Sequence, residues 1–322
     1  MVTLHLDAVH DPAASVMKAA LLLRNGLLVA IPTETVYGLA ACISNEGALA
    51  NVFAAKRRPV DNPLIVHIAN RADVYLIAHV DALSEHLIDA FWPGALTLVL
   101  AKKKGVSELV TAGLDTVAVR MPSLGITRDI IAAAGEPLAA PSANISGRPS
   151  ATTAQHVIDD FGGSIAAVVD AGACEQGIES TVIRVVDGRV MLLRPGGITR
   201  QQIESVIGSE LLSPEAQDAR TSPGTRHRHY APHAAVVLCD TEDMLRSEAV
   251  PGTIVLSKDP PPIEIPWRRL DATTLFAELR RADDLQVNKI LVHCTHAVRI
   301  DEALMNRLRM AAEPFRESDV GK

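Results

Sequence analysis

Helical and strand periods alternate along the first two-thirds of the chain. "DPAASVMKAALLLRNG", from Asp11 to Gly26, spreads its apolar residues at helical spacing, with Asp11 as cap, Pro12 at the first helical position and Gly26 as terminator. The apolar run "LLVAIPT" follows as a buried strand. A second helix in "NEGALANVFAAKRRP" is expected to run until Pro59 ends it, and "NPLIVHI" to form a short buried strand. "LSEHLIDAFWPG" reads as a helix stopped by Pro93 and Gly94, "ALTLVLA" and "TVAVRMP" as strands, and "ITRDIIAAAG" as a helix closed by Gly135. "ATTAQHVIDDFGG" is a Thr-capped helix and "AAVVDAG" a strand, while Asp187-Gly188 between two β-rich runs predicts a hairpin. With a helix in "TRQQIESVIG" ending near Gly208, the mixture predicts an α/β domain whose sheet is not purely parallel.

Residues 209–233 show no hydrophobic period over roughly 25 positions, too long for an ordinary connection, and read as a linker or a functional loop. Beyond them "AVVLCD", "GTIVLS" and "NKILVHC" read as strands, and "TEDMLRSEA", "ATTLFAELRRADDL" and "RIDEALMNRLRMAA" as helices. That βαβ alternation predicts a small parallel sheet. The expected division is 1–208, a linker over 209–233, and 234–322, with the tail from Glu313 frayed.

Composition narrows the function. At roughly 100 to 200 residues per domain, 322 residues favour two domains. A hydrophobic content of 48% with 21% charged residues suits a globular enzyme and argues against disorder over most of the chain. A net charge of -7 and only 3% aromatic residues disfavour a dedicated nucleic-acid binder, which needs cations on phosphate and rings for stacking. Cys42, Cys174, Cys239 and Cys294 form no C-x-x-C pair, so neither a zinc knuckle nor a disulfide framework is indicated. No signal-peptide pattern and no run of about 18 apolar residues occurs, so the expectation is a cytoplasmic protein with no membrane partner.

The Walker, Rossmann, zincin and nucleophile-elbow patterns are all missing. Polar clusters sit instead at strand ends, where α/β proteins place ligands. "IPTETVYGLAA", from Ile31 to Ala41, empties a strand into Thr33, Glu34, Thr35 and Tyr37. Lys56, Arg57 and Arg58 at a helix C-terminus suit either a dipole cap or a phosphate grip, in which Pro59 and Pro63 stiffen the turn that carries Arg58 and Asn62. His67, inside a strand, reads by itself as a satisfied core histidine. Arg120 ends an apolar strand and needs a carboxylate, from the protein or from a substrate. "APSANISGRPS" has the composition of an anion-cradling loop and equally of a plain turn. His227, His229 and His233 raise metal binding, but nothing else in the pattern supports it and no metal site is assigned. Tyr230 beside Pro232 suits an aromatic face laid over a ligand by a linker that folds back as a lid.

Taken in order, "PTETVYGLA", "KRRPVDNPLIVHI", "FWPGALTLVL", "VAVRMPS", "APSANISGRPS", "GIESTVI", "LRPGGI" and "SPGTRHRHYAPHA" resemble the threonylcarbamoyl-AMP synthase family in its two-domain form. The similarity covers most of residues 15–233; beyond them it rests on length and βαβ character. The resemblance implies a YrdC-like twisted mixed-sheet α/β domain joined by an ordered linker to a smaller Rossmann-like domain. It also implies condensation of L-threonine, bicarbonate and ATP, with Mg²⁺ on the nucleotide, to L-threonylcarbamoyl-AMP and diphosphate. The product would serve modification of the adenosine beside the anticodon, with tRNA reached only through downstream transfer proteins. The implied threonine site is Thr35, His67, Arg120, Ala140 and Ser180, with Arg120 on the substrate carboxylate. The implied ATP site is Arg58, Asn62, Thr116, Ser142, Ser150, Arg194 and Tyr230. Lys56 matches the family's basic pattern, and Lys56 and Arg58 are the expected catalytic cations that neutralise the triphosphate. The alternative, a nonenzymatic RNA-binding or regulatory protein on the same fold, has no use for the Thr35, Arg120 and Ser180 set.

Overall fold

The computed structural model of the chain describes residues 2–214 and 229–312, and in these several helices begin at a capping side chain or end at a left-handed residue that satisfies orphan backbone groups. Asp11 accepts from the Ala14 amide at the start of α1 (Pro12–Arg24), and Asn45 from the Ala48 amide at the start of α2 (Glu46–Lys56). α2 does not reach Pro59. Arg57 adopts a left-handed conformation (φ 51°), and the Arg58 amide reaches back 2.9 Å to the Phe53 carbonyl, closing the helix three residues before the proline. The turns α3 (Val74–Ile77) and α5 (Glu108–Thr111) flank α4 (Ala82–Phe91), which Asp81 caps. α6 (Gly125–Ala134) ends on the left-handed Gly135, Thr153 caps α7 (Ala154–Phe161), and a Thr199–Gln202 capping box opens α8 (Arg200–Ile207).

Among the described residues the larger sheet has eleven strands. They are β1 (Leu4–Asp7), β2 (Val29–Ile31), β3 (Gly38–Cys42), β4 (Ile65–His67), β5 (Ala78–His79), β6 (Leu96–Lys102), β7 (Thr116–Arg120), β8 (Leu138–Ala139), β9 (Ala167–Asp170), β10 (Thr181–Val186) and β11 (Arg189–Arg194). The order is β1-β9-β2-β3-β8-β4-β7-β6-β10-β11, with β5 beside β6. β4 runs parallel to β7 and β10 parallel to β6, whereas β3, β8 and β11 run antiparallel to their neighbours, so the sheet is mixed. Asp187 and Gly188 both take positive φ at the β10–β11 turn, the type I′ geometry that the Asp-Gly pair predicts.

The smaller sheet is all parallel, in the order β12 (Ala235–Cys239), β15 (Lys289–His293), β13 (Thr253–Ser257) and β14 (Trp267–Arg269). Its helices are α9 (Glu242–Glu248), α10 (Leu275–Asp284), α11 (His296–Arg299) and α12 (Glu302–Ala312). The helix expected over "RIDEALMNRLRMAA", residues 299–312, is present as α12 but begins three residues later, where Asp301 accepts from the Leu304 amide as its cap, and the short turn α11 precedes it. Residues 215–228, with most of the expected linker and His227, and residues 313–322, with the expected frayed tail, lie outside the described residues.

The two sheets share apolar and charged contacts. Val36 and Ile178 pack into the same core cluster as Phe276, Leu304 and Leu308 of the small unit. Asp160 on α7, with its side chain fully shielded from water, accepts from Arg148 at 2.8 Å, from Arg280 on α10 at 2.9 and 3.1 Å, and from the Ile145 amide at 3.0 Å. Removing one charge from such a buried set strands its partners. Asp160→Asn is therefore expected to lower the unfolding free energy by about 3 kcal/mol, read from denaturant melts; a loss below about 0.5 kcal/mol, the scale of an exposed pair, would contradict this burial.

Candidate functional site

The carboxyl ends of β4 and β7, the loop leaving β2, the loop after β8 and the 179–180 segment before β10 converge on one cleft. Counting its open mouth, about 630 Å³ of space not filled by protein lies within it.

The β2 exit is shaped by Thr33. Its hydroxyl donates to the Val36 carbonyl at 2.6 Å and accepts from the Thr35 and Val36 amides at 3.1 and 3.2 Å, a side-chain turn that presents Thr35 to the cleft. The Thr35 hydroxyl lies 2.8 Å from that of Thr33 and accepts from Arg120 Nη1 at 2.7 Å. Arg120 also donates from Nε to the Gly94 carbonyl at 3.1 Å and pairs through Nη2 with Glu34 Oε1 at 2.7 Å. Of the two possible sources of its counter-charge, the structure shows the protein's own. Burial alone would raise the Glu34 carboxyl, but the Arg120 guanidinium and the Ser123 amide, 3.1 Å away, hold it below the usual carboxylate range. Five guanidinium N–H groups and three contacts among the described residues leave Arg120 two donors to offer.

His67 pairs in register with Arg120 across β4 and β7. It is not a satisfied core histidine: among the described residues its buried Nδ1 has no hydrogen-bond partner, and the ring lines the cleft. Burial, and then the nearby Arg120 charge, push its pKa down to about 3, so it stands neutral. Ala140 packs beside Gly38, where an added Cβ would come within 3.1 Å of the alanine methyl. The Ser180 hydroxyl lies 2.7 Å from that of Thr97, and the Ser180 carbonyl accepts from Arg194 Nε and Nη2 at 3.2 and 3.0 Å.

Lys56 does not line the cleft. It is buried beneath the loop after β8, donating from Nζ to the Ser142 and Asn144 carbonyls, both at 2.5 Å, while its own carbonyl accepts from the Ser146 amide. Burial and the charge of Arg58 push its ammonium well below the ordinary lysine value. Ser142 does face the cleft, its hydroxyl donating to Asn144 Oδ1. Arg58 faces the cleft too, folded onto the stiff turn, with Nε and Nη2 on the Asn62 and Pro63 carbonyls at 3.3 and 2.9 Å; burial lowers its pKa to about 10. Asn62 lies buried behind it.

Two other expected positions also fall outside the lining. Ser150 is buried and donates to Glu179 Oε1 at 2.5 Å. Thr116 sits at the opposite end of β7 from Arg120, four residues or about 13 Å of strand away, and borders a separate groove with His79, Ser84 and Arg184. Tyr230, at φ 65°, lines the cleft with its ring 5.1 Å from that of Phe276, and the next amide, of Ala231, donates to the Gly147 carbonyl at 2.8 Å.

Glu179 is the acidic residue in the lining that sequence reasoning passed over. "GIEST" contained it, but only its tertiary partner Arg307, 128 positions on, marks it as part of the site. Against burial, Arg307 and Arg194 hold its carboxyl below the ordinary range. Among the described residues no group of three or more His, Cys, Asp or Glu is placed to hold a metal ion, and no helix is long and apolar enough to cross a membrane.

Comparison with known proteins agrees across the chain. A family model described as "Telomere recombination" matches residues 21–196, and one described as "Threonylcarbamoyl-AMP synthase, C-terminal domain" matches residues 198–313. The threonylcarbamoyl-AMP synthase of Pyrococcus abyssi is 41% identical, over 91% of this chain and 93% of the relative. That of Bacillus subtilis is 40% identical, over 94% of each. The crystal structure of P. abyssi Sua5 complexed with L-threonine matches with a TM-score of 0.88 at 38% identity, covering 97% of this chain and 98% of that one.

Because His67 is neutral when folded and titrates near 6.5 when unfolded, the unfolded chain binds the extra proton between about pH 6.5 and about pH 3. Its contribution to stability is present above that window and is lost as pH falls through it, by at most about 1.4 kcal/mol per pH unit. His67→Gln is expected to flatten the acid limb of the curve of melting temperature against pH; superimposable curves would contradict the assignment.

Proposed function

Since the chain belongs to the threonylcarbamoyl-AMP synthase family, we propose that it condenses L-threonine, bicarbonate and MgATP to L-threonylcarbamoyl-AMP and diphosphate. The observation that carries this reading is one cleft that combines Arg120, with two N–H groups to offer, the neutral His67 and the guanidinium groups of Arg58 and Arg194. P. abyssi Sua5 holds L-threonine, and in this chain we assign threonine to Thr35, His67, Arg120, Ala140 and Ser180. The substrate carboxylate takes the two remaining donors of Arg120 without displacing Glu34, and His67 Nδ1 accepts a proton that threonine offers. ATP is assigned to Arg58, Ser142, Arg194 and Tyr230 in the lining, with Asn62, Ser150 and Lys56 acting through the groups they hold. Thr116 keeps its place in the proposal only if the nucleotide extends beyond the cleft.

In the proposed reaction the threonine amine adds to the bicarbonate carbon with loss of water, giving an N-carboxylate. A carboxylate oxygen then attacks the α-phosphorus, and diphosphate leaves with the bond's electron pair. The protein's task is to hold two anions in line and offset their repulsion, for which cations fixed in a dry cleft are suited. Mg²⁺ arrives on the triphosphate as part of the substrate. The acidic residue of the lining, Glu179, is already engaged by Ser150 and Arg307 and is assigned no metal. On this reading residues 1–208 are the catalytic domain, 209–233 the linker and 234–322 the small domain; the protein works in the cytoplasm, and tRNA receives the product from other proteins.

Diphosphate release by the purified protein is expected to require both threonine and bicarbonate; release without either would overturn the reaction. Arg120→Ala, checked by melting to be folded, is expected to raise the KM for threonine about ten- to hundred-fold, the worth of charge-assisted hydrogen bonds. The KM for ATP is expected to stay within about three-fold, since the contacts assigned to Arg120 are to threonine. Equal effects on both would sink the role given to Arg120.

A further inference from the structure

Two arginines of the small sheet's helices reach across to the cleft wall. Arg307, on α12, is fully buried. Its Nε donates to Glu179 Oε2 at 2.7 Å, Nη1 to the Pro195 carbonyl at 2.9 Å and Nη2 to the Glu179 carbonyl at 3.4 Å, and its Cζ lies 5.5 Å from the centre of the Tyr230 ring. Both Glu179 and Tyr230 line the cleft, and Glu179 Oε1 takes the Ser150 hydroxyl. Arg280, on α10, makes a second arm: it donates to the Pro149 carbonyl at 2.6 Å and to Asp160, fixing the chain that leads into Ser150.

A buried guanidinium is costly to desolvate, and an apolar side chain would fill the space beside Leu304 and Leu308 at lower cost. What an apolar side chain could not do is grip a carboxylate, a carbonyl and a ring face at once, which the planar fork of arginine does. A Cβ on Gly196 would lie 2.3 Å from the Glu179 carbonyl, so only glycine lets the 194–197 segment pack this closely on Glu179, and Arg307 ties the two together through the Pro195 and Glu179 carbonyls.

We infer that Arg307 is a positioning residue for the nucleotide part of the cleft: through Glu179 and Tyr230 it makes the small sheet a structural component of ATP binding. This inference rests on the synthase reading and adds that the cleft is complete only when the two sheets are docked. Arg307 does not touch the reacting atoms. It sets where the Tyr230 ring and the Glu179–Ser150 pair stand.

The test uses the full chain as wild type, Arg307→Lys and Arg307→Met, with thermal melts beside steady-state diphosphate release and calorimetric titration with MgATP alone. Arg307→Met is expected to raise the KM and the calorimetric Kd for ATP about ten-fold or more, the worth of a charge-assisted contact. The KM for threonine is expected to stay within about two-fold, because the Arg120–Glu34–Thr35 network is intact. Lysine keeps the charge without the fork, so Arg307→Lys is expected to fall between the two. A folded Arg307→Met with wild-type affinity for ATP would overturn the inference. So would equal rises in both KM values, or a lower melt and lower kcat with both KM values unchanged, which is the signature of a purely structural role. If Arg307→Met does not fold, Arg307→Lys decides the matter alone, and wild-type ATP affinity in it overturns the inference. An inactive wild type that still binds MgATP would defeat the synthase reading instead, and the calorimetric comparison would still judge Arg307.

Discussion

Four guanidinium groups shielded from water, on Arg120, Arg194, Arg280 and Arg307, set the terms for the structure around the cleft. None can be left unpaired in a low-dielectric interior. Arg120 draws in Glu34 and Thr35 from the β2 exit, Arg194 closes on the Ser180 carbonyl, Arg280 takes Asp160, and Arg307 takes Glu179. Three of these pairings pin segments that have little regular secondary structure of their own, and the fourth ties α10 to α7. The strands of the mixed sheet deliver these loops to one place, and the charge pairs fix their conformation there.

The same constraint explains why Lys56 and Arg58, two residues apart, do different work. Lys56 turns inward at the last position of α2 and spends its donors on the Ser142 and Asn144 carbonyls, so its charge shapes the loop that offers Ser142. Arg58 lies past the left-handed Arg57, which turns the chain so that its guanidinium faces the cleft. The preparation of the cleft before any substrate enters is the electrostatic preorganisation that anion-joining chemistry requires.

Much of the fold was legible because its signals are local. Asp11, Thr153, Thr199 and the Asp187-Gly188 pair act within a few residues, and α1, α7, α8 and the β10–β11 hairpin follow from them. The end of α2 was placed too late because a proline marks only the last position at which a helix must stop, whereas Arg57 shows it stopping sooner. α12 starts three residues later than its apolar period suggests because the Asp301 side chain caps it, and α11, a single turn of four residues, is too short to show a period. β1, β8 and β14 are two to four residues long and carry no usable alternation. At the cleft, strand-end clusters pointed to Thr35, Arg120 and Ser142, while the assignment of ligands came from family resemblance. Glu179 and the inward turn of Lys56 depend on partners 128 and 86 to 88 positions away, beyond the reach of any local pattern. Thr116 and Arg120 share one short strand, and strand rise alone separates them by most of a cleft's width.

The central claim is that one cleft joins threonine, an inorganic carbon and the adenylyl group. Incubating the protein with MgATP, threonine and bicarbonate labelled at its carbon, then reading the labile adenylate by mass spectrometry, tests it most directly. The account predicts a threonine-dependent adenylate that carries one labelled carbon, accompanied by diphosphate. An adenylate without the label, or AMP and diphosphate formed with no threonine present, would contradict it.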